Sequence, residues 1–235
     1  MGLKPWAELP ANMQNEAVRQ YYHSLEKKKW SLLLKRTFDV FAALVLLILL
    51  SPVILILSVL ILADSPGGIF FRQTRVTTYG REFRIHKFRT MVDGADKMGA
   101  SITTGNDKRI TRVGAFLRKT KLDEIPQLFD VLKGDMSFVG TRPEVPKFVN
   151  QYTDEMRATL LLPAGITSEA SIRFKDEAAM LEGIEDIDRV YVKEVLPRKM
   201  KHNLHAIGTF SFPREIATMF RTVFAVLGKD YADEI

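Results

Sequence analysis

The sequence predicts an α+β protein, mainly helical, with one membrane-inserted helix and a small β-hairpin. Three features carry that reading: an uncharged apolar run from Val40 to Ala63, two alternating segments around Thr77-Thr78-Tyr79-Gly80, and apolar residues at helical spacing on both sides of an Asp-Glu pair. With 235 residues the chain can bury a sizeable core in one domain. It has no cysteine, which excludes a disulfide framework and thiolate metal sites. A net charge of +6 and a pI near 9.4 imply an acidic partner: nucleic acid, anionic lipid or phosphorylated substrate.

Residues from about Asn12 to Leu34 set Val18, Tyr21, Tyr22, Leu25 and Trp30 among charges, the pattern of an amphipathic helix at a membrane surface. Lys27, Lys28, Lys29, Lys35 and Arg36 are expected to face lipid headgroups there, with Trp30 in the interfacial belt. No small-residue cleavage pattern follows the first apolar run, so it reads as part of the mature chain and not as a secretory signal.

That run, Val40 to Ala63, amounts to roughly 36 Å of straight helix at ~1.5 Å per residue, enough to cross a hydrocarbon core of ~30 Å. Ser51-Pro52 lies at its middle. A proline there removes the hydrogen bond to the Ile48 carbonyl and forces a kink or break, which leaves each arm too short to span. Both flanks are basic, with lysines and Arg36 before the run and Arg72, Arg75, Arg81, Arg84, Lys87 and Arg89 after it. Basic flanks favour the cytoplasmic side, so a re-entrant hairpin is preferred over a single span. Ser51 is expected to bond a carbonyl that the proline releases.

Asp64-Ser65-Pro66-Gly67-Gly68 ends the run as a turn cluster, after which IFFRQTRV and EFRIHKF alternate as the strands of a hairpin. Arg81, Arg84 and His86 read as solvent-face charges on it. Lys87-Phe88-Arg89-Thr90 instead gathers cations suited to a polyphosphate. Ile110, Val113 and Leu117 then repeat at helical spacing among Arg109, Arg112, Arg118, Lys119 and Lys121, a basic helix that leads into the stretch Lys121–Glu144.

Within that stretch Asp123 and Glu124 precede Pro126, and proline is favoured at the first helical position. The dyad therefore falls at a positive helix end, where backbone N–H groups favour anions. Two neighbouring carboxylates repel, which calls for a divalent cation or a division of roles; two solvated acids in a first turn is the competing reading. Leu128, Phe129 and Leu132 form an apolar helix face, and Gly134 is placed to end it. Gly140-Thr141-Arg142-Pro143 presents one guanidinium, apt either as a bidentate phosphate ligand or as a structural arginine on carbonyls.

Farther on, Pro163 to Thr167 reads as a turn, and Arg173, Lys175, Asp176 and Glu177 are polar candidates without a diagnostic spacing. Two Phe-rich stretches between Leu196 and Leu227 look amphipathic, suited to the membrane or the core. His202 and His205 lack an obvious third ligand and read as structural. The chain has no Walker loop, dinucleotide-binding glycine fingerprint, zinc-binding His-Glu-x-x-His or serine-hydrolase elbow. A nucleic-acid reader is disfavoured because the basic residues interleave with an apolar hairpin. Without cysteine, nucleophilic catalysis falls to a carboxylate, hydroxyl or amine.

The order Lys35-Arg36-Thr37-Phe38-Asp39, Ser51-Pro52, Phe70-Phe71-Arg72-Gln73, Lys87-Phe88-Arg89-Thr90-Met91, Arg109-Ile110-Thr111, Leu117-Arg118-Lys119-Thr120, Leu122 to Leu128 and Lys133 to Gly140 resembles the bacterial sugar transferase family, the monotopic phosphoglycosyl transferases. The similarity covers Lys35 to Thr167 well and the C-terminal third loosely. It implies an N-terminal interfacial helix at 1–34, a re-entrant membrane helix kinked at Ser51-Pro52 within 35–66, and a cytoplasmic catalytic domain with interfacial helices at 67–235. The implied reaction moves a sugar-1-phosphate from a UDP-sugar to undecaprenyl phosphate at the cytoplasmic face of a bacterial inner membrane, releasing UMP. It would be the first membrane step of exopolysaccharide, lipopolysaccharide or another surface glycan.

By the same resemblance Asp123 is the nucleophile of an aspartyl phosphosugar, Glu124 is its metal partner or base, and Mg2+ is held by Asp123 and Glu124. Arg142, Lys87, Arg89 and Arg118 then bind substrate phosphate. Thr141 stands where the family has the first proline of Pro-Arg-Pro, and Ser168-Glu169 where a glycine often follows. Inner-membrane lipids are implied partners, a homo-oligomer is left open, and no nucleic acid is expected. The competing function is a membrane-anchored basic scaffold or anion-binding protein without catalysis.

Overall fold

Asn15 opens the first helix: its side-chain oxygen accepts the Val18 N–H at 2.9 Å, and α1 runs Glu16–Glu26 with Val18, Tyr22 and Leu25 buried on one face. The computed structural model describes residues 2–95, 107–174, 184 and 186–228. Lys175, Asp176 and Glu177 lie outside the described residues. The amphipathic helix expected to reach Leu34 ends at Glu26, because from Leu32 onward the apolar face belongs to a second, longer helix, α2, Lys29–Asp64.

Along α2 the buried residues are Leu32, Lys35, Asp39 and Ala43 in one arm and Leu57 and Ile61 in the other. Its opposite side leaves Phe41, Ile48, Leu49 and Leu55 exposed, and it is long and apolar enough to cross a membrane. The helix is not broken at Pro52. Ser51 Oγ donates at 2.8 Å to the Ile48 carbonyl, the acceptor that the proline cannot use, as the sequence predicts.

Strands β1 (Phe70–Val76) and β2 (Glu82–Phe88) form the expected antiparallel hairpin, pairing Phe70 with Phe88 and Val76 with Glu82. Helix α3 (Arg112–Thr120) is capped by Thr111, which accepts the Gly114 N–H at 3.0 Å, and by Asp64 of α2, which accepts the Val113 N–H at 2.8 Å. Helix α4 (Gln127–Lys133) ends at Gly134, whose φ of +86° supplies the left-handed residue expected there.

Strand β3 (Met136–Val139) pairs in parallel with β4 (Ala164–Thr167), which corrects the reading of Pro163 to Thr167 as a turn. Four residues are too few to display an alternation, and a parallel partner distant in sequence leaves no local mark. Beyond β3 the two backbones touch at glycines. A Cβ on Gly140 would lie 2.4 Å from the Pro163 carbonyl oxygen, and one on Gly165 would lie 2.2 Å from the Gly140 nitrogen. Helices α5 (Leu196–Gly208) and α6 (Phe212–Val226) close the chain, with Phe220, Val223, Phe224 and Leu227 of α6 exposed or just beyond it.

Three apolar clusters hold these elements. The first joins α1, the segment Met156–Leu161 and α5. The second sets the first arm of α2 against β2, α4, β3 and β4; the third sets its second arm against β2 and α3. Each fully buried aliphatic or aromatic side chain in them contributes about 1.5–3 kcal/mol before entropy is counted.

Three cations expected at lipid headgroups point inward instead. Lys28 donates to the Phe210 carbonyl at 2.7 Å, Arg36 to the Val131 and Leu132 carbonyls at 2.7 and 3.0 Å, and Lys35 to the Val139 carbonyl at 2.9 Å. Arg36 meets carbonyls in the last turn of α4, where orphan acceptors and the macrodipole favour a cation. Lys35 also pairs with Glu215, and Asp39 accepts the Ser137 hydroxyl at 2.7 Å. The Lys35–Asp39 motif thus clamps the block from α4 to β3.

Candidate active site

The dyad occupies a 3₁₀ turn, Leu122–Glu124, between α3 and α4. The turn is entered through Lys121, whose φ of +58° swings the chain out of the last turn of α3. Ile125 and Pro126 keep right-handed helical backbone, with Pro126 as the cap of α4, so Leu122 to Lys133 follows one helical path. Ile125 packs against both the second and the third cluster, which sets the dyad where the two arms of α2 meet the domain.

The two acids have different surroundings. Glu124 is held by Lys87 Nζ at 2.8 Å and by Arg142, whose Nη1 reaches Oε2 at 3.3 Å while Nη2 binds Oε1. Burial works against its ionisation, but Arg142 and Lys87 together outweigh burial and hold its carboxyl well below the usual carboxylate range. Asp123 is 9% exposed, and its Oδ1 is buried without a hydrogen-bond partner among the described residues. Burial pushes its carboxyl above the usual range, with Lys87 pulling the other way. An unpartnered buried polar atom costs about 1–3 kcal/mol, so the fold tolerates at Asp123 what it avoids at Glu124.

The structure brings most of the expected cations here. Lys87 comes from β2 and Arg142 from the loop after β3; burial lowers the Lys87 ammonium's pKa, and Glu124 raises that of the Arg142 guanidinium. Arg118 approaches from α3, its Nε donating to Thr90 Oγ1 at 3.0 Å. Arg89 is engaged elsewhere: it is 7% exposed and its two terminal nitrogens donate to the Ser65 and Pro66 carbonyls, each at 2.6 Å, closing the turn after α2.

Several residues support the site in roles that the sequence does not assign to them. Arg75 Nη1 donates to the Pro143 carbonyl at 2.9 Å, and the Val76 N–H donates to the Glu144 carbonyl at 3.0 Å. Buried Glu144 in turn accepts from the Tyr191 hydroxyl at 2.5 Å and from Lys199 at 3.3 Å. These bonds fix the loop that carries Arg142. His86 is not a solvent-face charge, since its Nδ1 lies 2.5 Å from Asp130 Oδ1 and its backbone N–H donates to Asp130 Oδ2 at 2.8 Å. Asp130 thereby satisfies the unpaired edge of β2. Gln127 is 1% exposed, and neither its Nε2 nor its Oε1 has a partner among the described residues.

No group of three or more His, Cys, Asp and Glu side chains is placed to hold a metal among the described residues. Magnesium does not require such a cage, as it commonly uses one or two carboxylates, substrate phosphates and water. The unpartnered Asp123 Oδ1 fits that mode, while Glu124 fits it with an oxygen yielded by Lys87 or Arg142. A separate cavity of about 360 Å³, lined by Glu169, His202, His205, Arg214 and Arg221 among others, reaches Gly140 and Thr141 but not the dyad.

Comparison with known proteins bears on this site. The sequence model of a family described as bacterial sugar transferase matches residues 30–229. The chain is 36% identical over 197 residues to the UDP-N-acetylgalactosamine-undecaprenyl-phosphate N-acetylgalactosaminephosphotransferase of Aeromonas hydrophila, covering 83% of this chain and 44% of that protein. It is 38% identical over 196 residues to the UDP-glucose:undecaprenyl-phosphate glucose-1-phosphate transferase of Escherichia coli, covering 82% and 40%. An exopolysaccharide production protein of Rhizobium leguminosarum is 36% identical over 201 residues, covering 83% and 96%. The chain therefore spans less than half of the first two relatives and nearly all of the third.

Proposed function

We propose, from the premise that this chain belongs to the bacterial sugar transferase family, that it transfers a sugar-1-phosphate from a UDP-sugar to undecaprenyl phosphate. The observation that carries the reading is the division within the dyad: Glu124 is tied to Lys87 and Arg142, while Asp123 keeps a buried, unpartnered oxygen. A solvated pair or a scaffold gives no reason for that asymmetry.

In the proposed reaction an Asp123 carboxylate oxygen attacks the sugar-linked phosphorus. The new O–P bond forms as the bond to the UMP oxygen breaks, leaving an aspartyl phosphosugar and free UMP. A phosphate oxygen of the acceptor then attacks the same phosphorus, forming the lipid diphosphosugar and restoring the carboxylate. Arg142, Lys87 and Arg118 stabilise charge on the phosphoryl oxygens; Glu124 orients the first two. Held ionised by its two cations, Glu124 is a weak base near neutral pH, so we assign it to positioning and to metal binding. Magnesium, held by Asp123 and Glu124, would neutralise charge on the diphosphate.

The membrane reading rests on α2. Both of its arms pack along the same domain through the second and third clusters, and its exposed side is apolar, as is that of α6. This supports a re-entrant helix bent at Ser51-Pro52 with both ends on the cytoplasmic face of the inner membrane, and α6 lying at the interface. The test is a panel of UDP-sugars with purified protein and undecaprenyl phosphate, read as UMP release. Turnover with one or more donors is expected. No UMP from any donor, with anion binding indifferent to Asp123→Asn, favours the scaffold.

A further inference from the structure

Gln127 lies four residues beyond Asp123 on the helical path from Leu122 to Lys133, about one turn farther along it. Its neighbours Leu128 and Val131 enter the second cluster. Gln127 is itself 1% exposed, and neither end of its carboxamide has a partner among the described residues. Asp123 Oδ1 is unpartnered in the same way. Three buried polar atoms one helical turn apart thus lack bonds that the protein supplies nearly everywhere else.

A carboxamide needs both an acceptor for its N–H groups and a donor for its oxygen. A bare phosphate meets the first need poorly matched to the second; a phosphosugar carries phosphoryl oxygens and hydroxyls together. We propose that Gln127 contacts the transferring sugar-1-phosphate, its Nε2 donating to a phosphoryl oxygen and its Oε1 accepting from a sugar hydroxyl. The proposal rests on the transfer reaction argued above. Being neutral, the amide does not compete with Asp123 for a cation, and a buried donor aimed at developing charge is worth about 10²–10³-fold in rate.

The test is Gln127→Met, close in size and unable to make either bond, followed by thermal unfolding and by UMP release. Expected are a thermal midpoint equal to or above that of the unaltered protein, and a kcat lower by about 10²–10³-fold with KM for the UDP-sugar within about threefold. Gln127→Glu, which keeps the shape but turns the donor into an anion, should lose at least as much activity while staying folded. Activity of Gln127→Met within about threefold overturns the proposal. So does a midpoint that falls together with activity, or a variant that does not fold, since either means the amide is satisfied inside the protein. If the unaltered protein releases no UMP from any donor, the transfer reading fails by itself; turnover by that protein matched by Gln127→Met defeats this inference alone.

Discussion

The charged clusters around Lys35 and around Asp123 are both buried against the domain, and they are built to different rules. Lys35 is surrounded by the Val139 carbonyl, Glu215 and Asp39, with Ser137 on Asp39, and among the described residues none of these side chains leaves a buried polar atom unpartnered. Around the dyad, Glu124 is equally well held, but Asp123 and Gln127 are left with three such atoms. A closed network gives a unique geometry and makes the removal of any member costly; an open one is tolerated where a ligand supplies the missing bonds. The closed cluster locks α2, α6 and β3 together, and this fixes the block from which the open one is presented.

That contrast breaks if the clusters respond alike to mutation. The largest effect expected is on activity at the open site: Asp123→Asn should lower UMP release by at least about three orders of magnitude while the thermal midpoint stays level or rises. The rise follows because burial disfavours the ionised Asp123 carboxylate at neutral pH, and the amide removes that cost. Next is Lys35→Met in the closed cluster. It leaves the buried Asp39 and Glu215 carboxylates without their cation and should cost about 3–5 kcal/mol in denaturant unfolding.

A pH titration sharpens the comparison within the dyad itself. Asp123 must lose its proton to attack, and its value is raised, so the acid limb of kcat/KM should lie above the ordinary aspartate value of about 3.9. Glu124 has a lowered value, so its contribution to stability is present above its unfolded value of about 4.3 and is lost only as pH falls toward the folded one. Activity should therefore fall off at a higher pH than the contribution of Glu124 to the thermal midpoint does. The smallest effect belongs to Ser51→Ala, which orphans the Ile48 carbonyl and should cost about 0.5–1.5 kcal/mol, read by unfolding in detergent.

Much of this architecture is legible in the sequence where a signal is local. The hairpin shows by alternation, α3 and α4 by spacing and by Gly134, and the Ser51 hydroxyl bond by the arithmetic of a missing N–H four residues after Ile48. The dyad and Arg142 show by chemistry and by resemblance. What stays hidden depends on distant pairing. Lys35 and Arg36 look like headgroup ligands because the carbonyls they serve lie some hundred residues away. The β3–β4 pair and the Glu144, Tyr191 and Lys199 network behind Arg142 are hidden for the same reason. Gln127 is visible as a letter in the dyad motif, but only burial without partners marks it as exceptional.

The central claim is that Asp123 itself takes the phosphosugar, and intact-protein mass measurement tests it directly. Full-length protein in detergent is incubated with Mg2+ and a UDP-sugar that it turns over, without lipid acceptor, then denatured in acid. The account predicts a mass increase of one sugar phosphate on the unaltered chain, absent from Asp123→Asn and discharged by undecaprenyl phosphate. The same increase on Asp123→Asn, or none on an enzyme that turns over with acceptor, would contradict it.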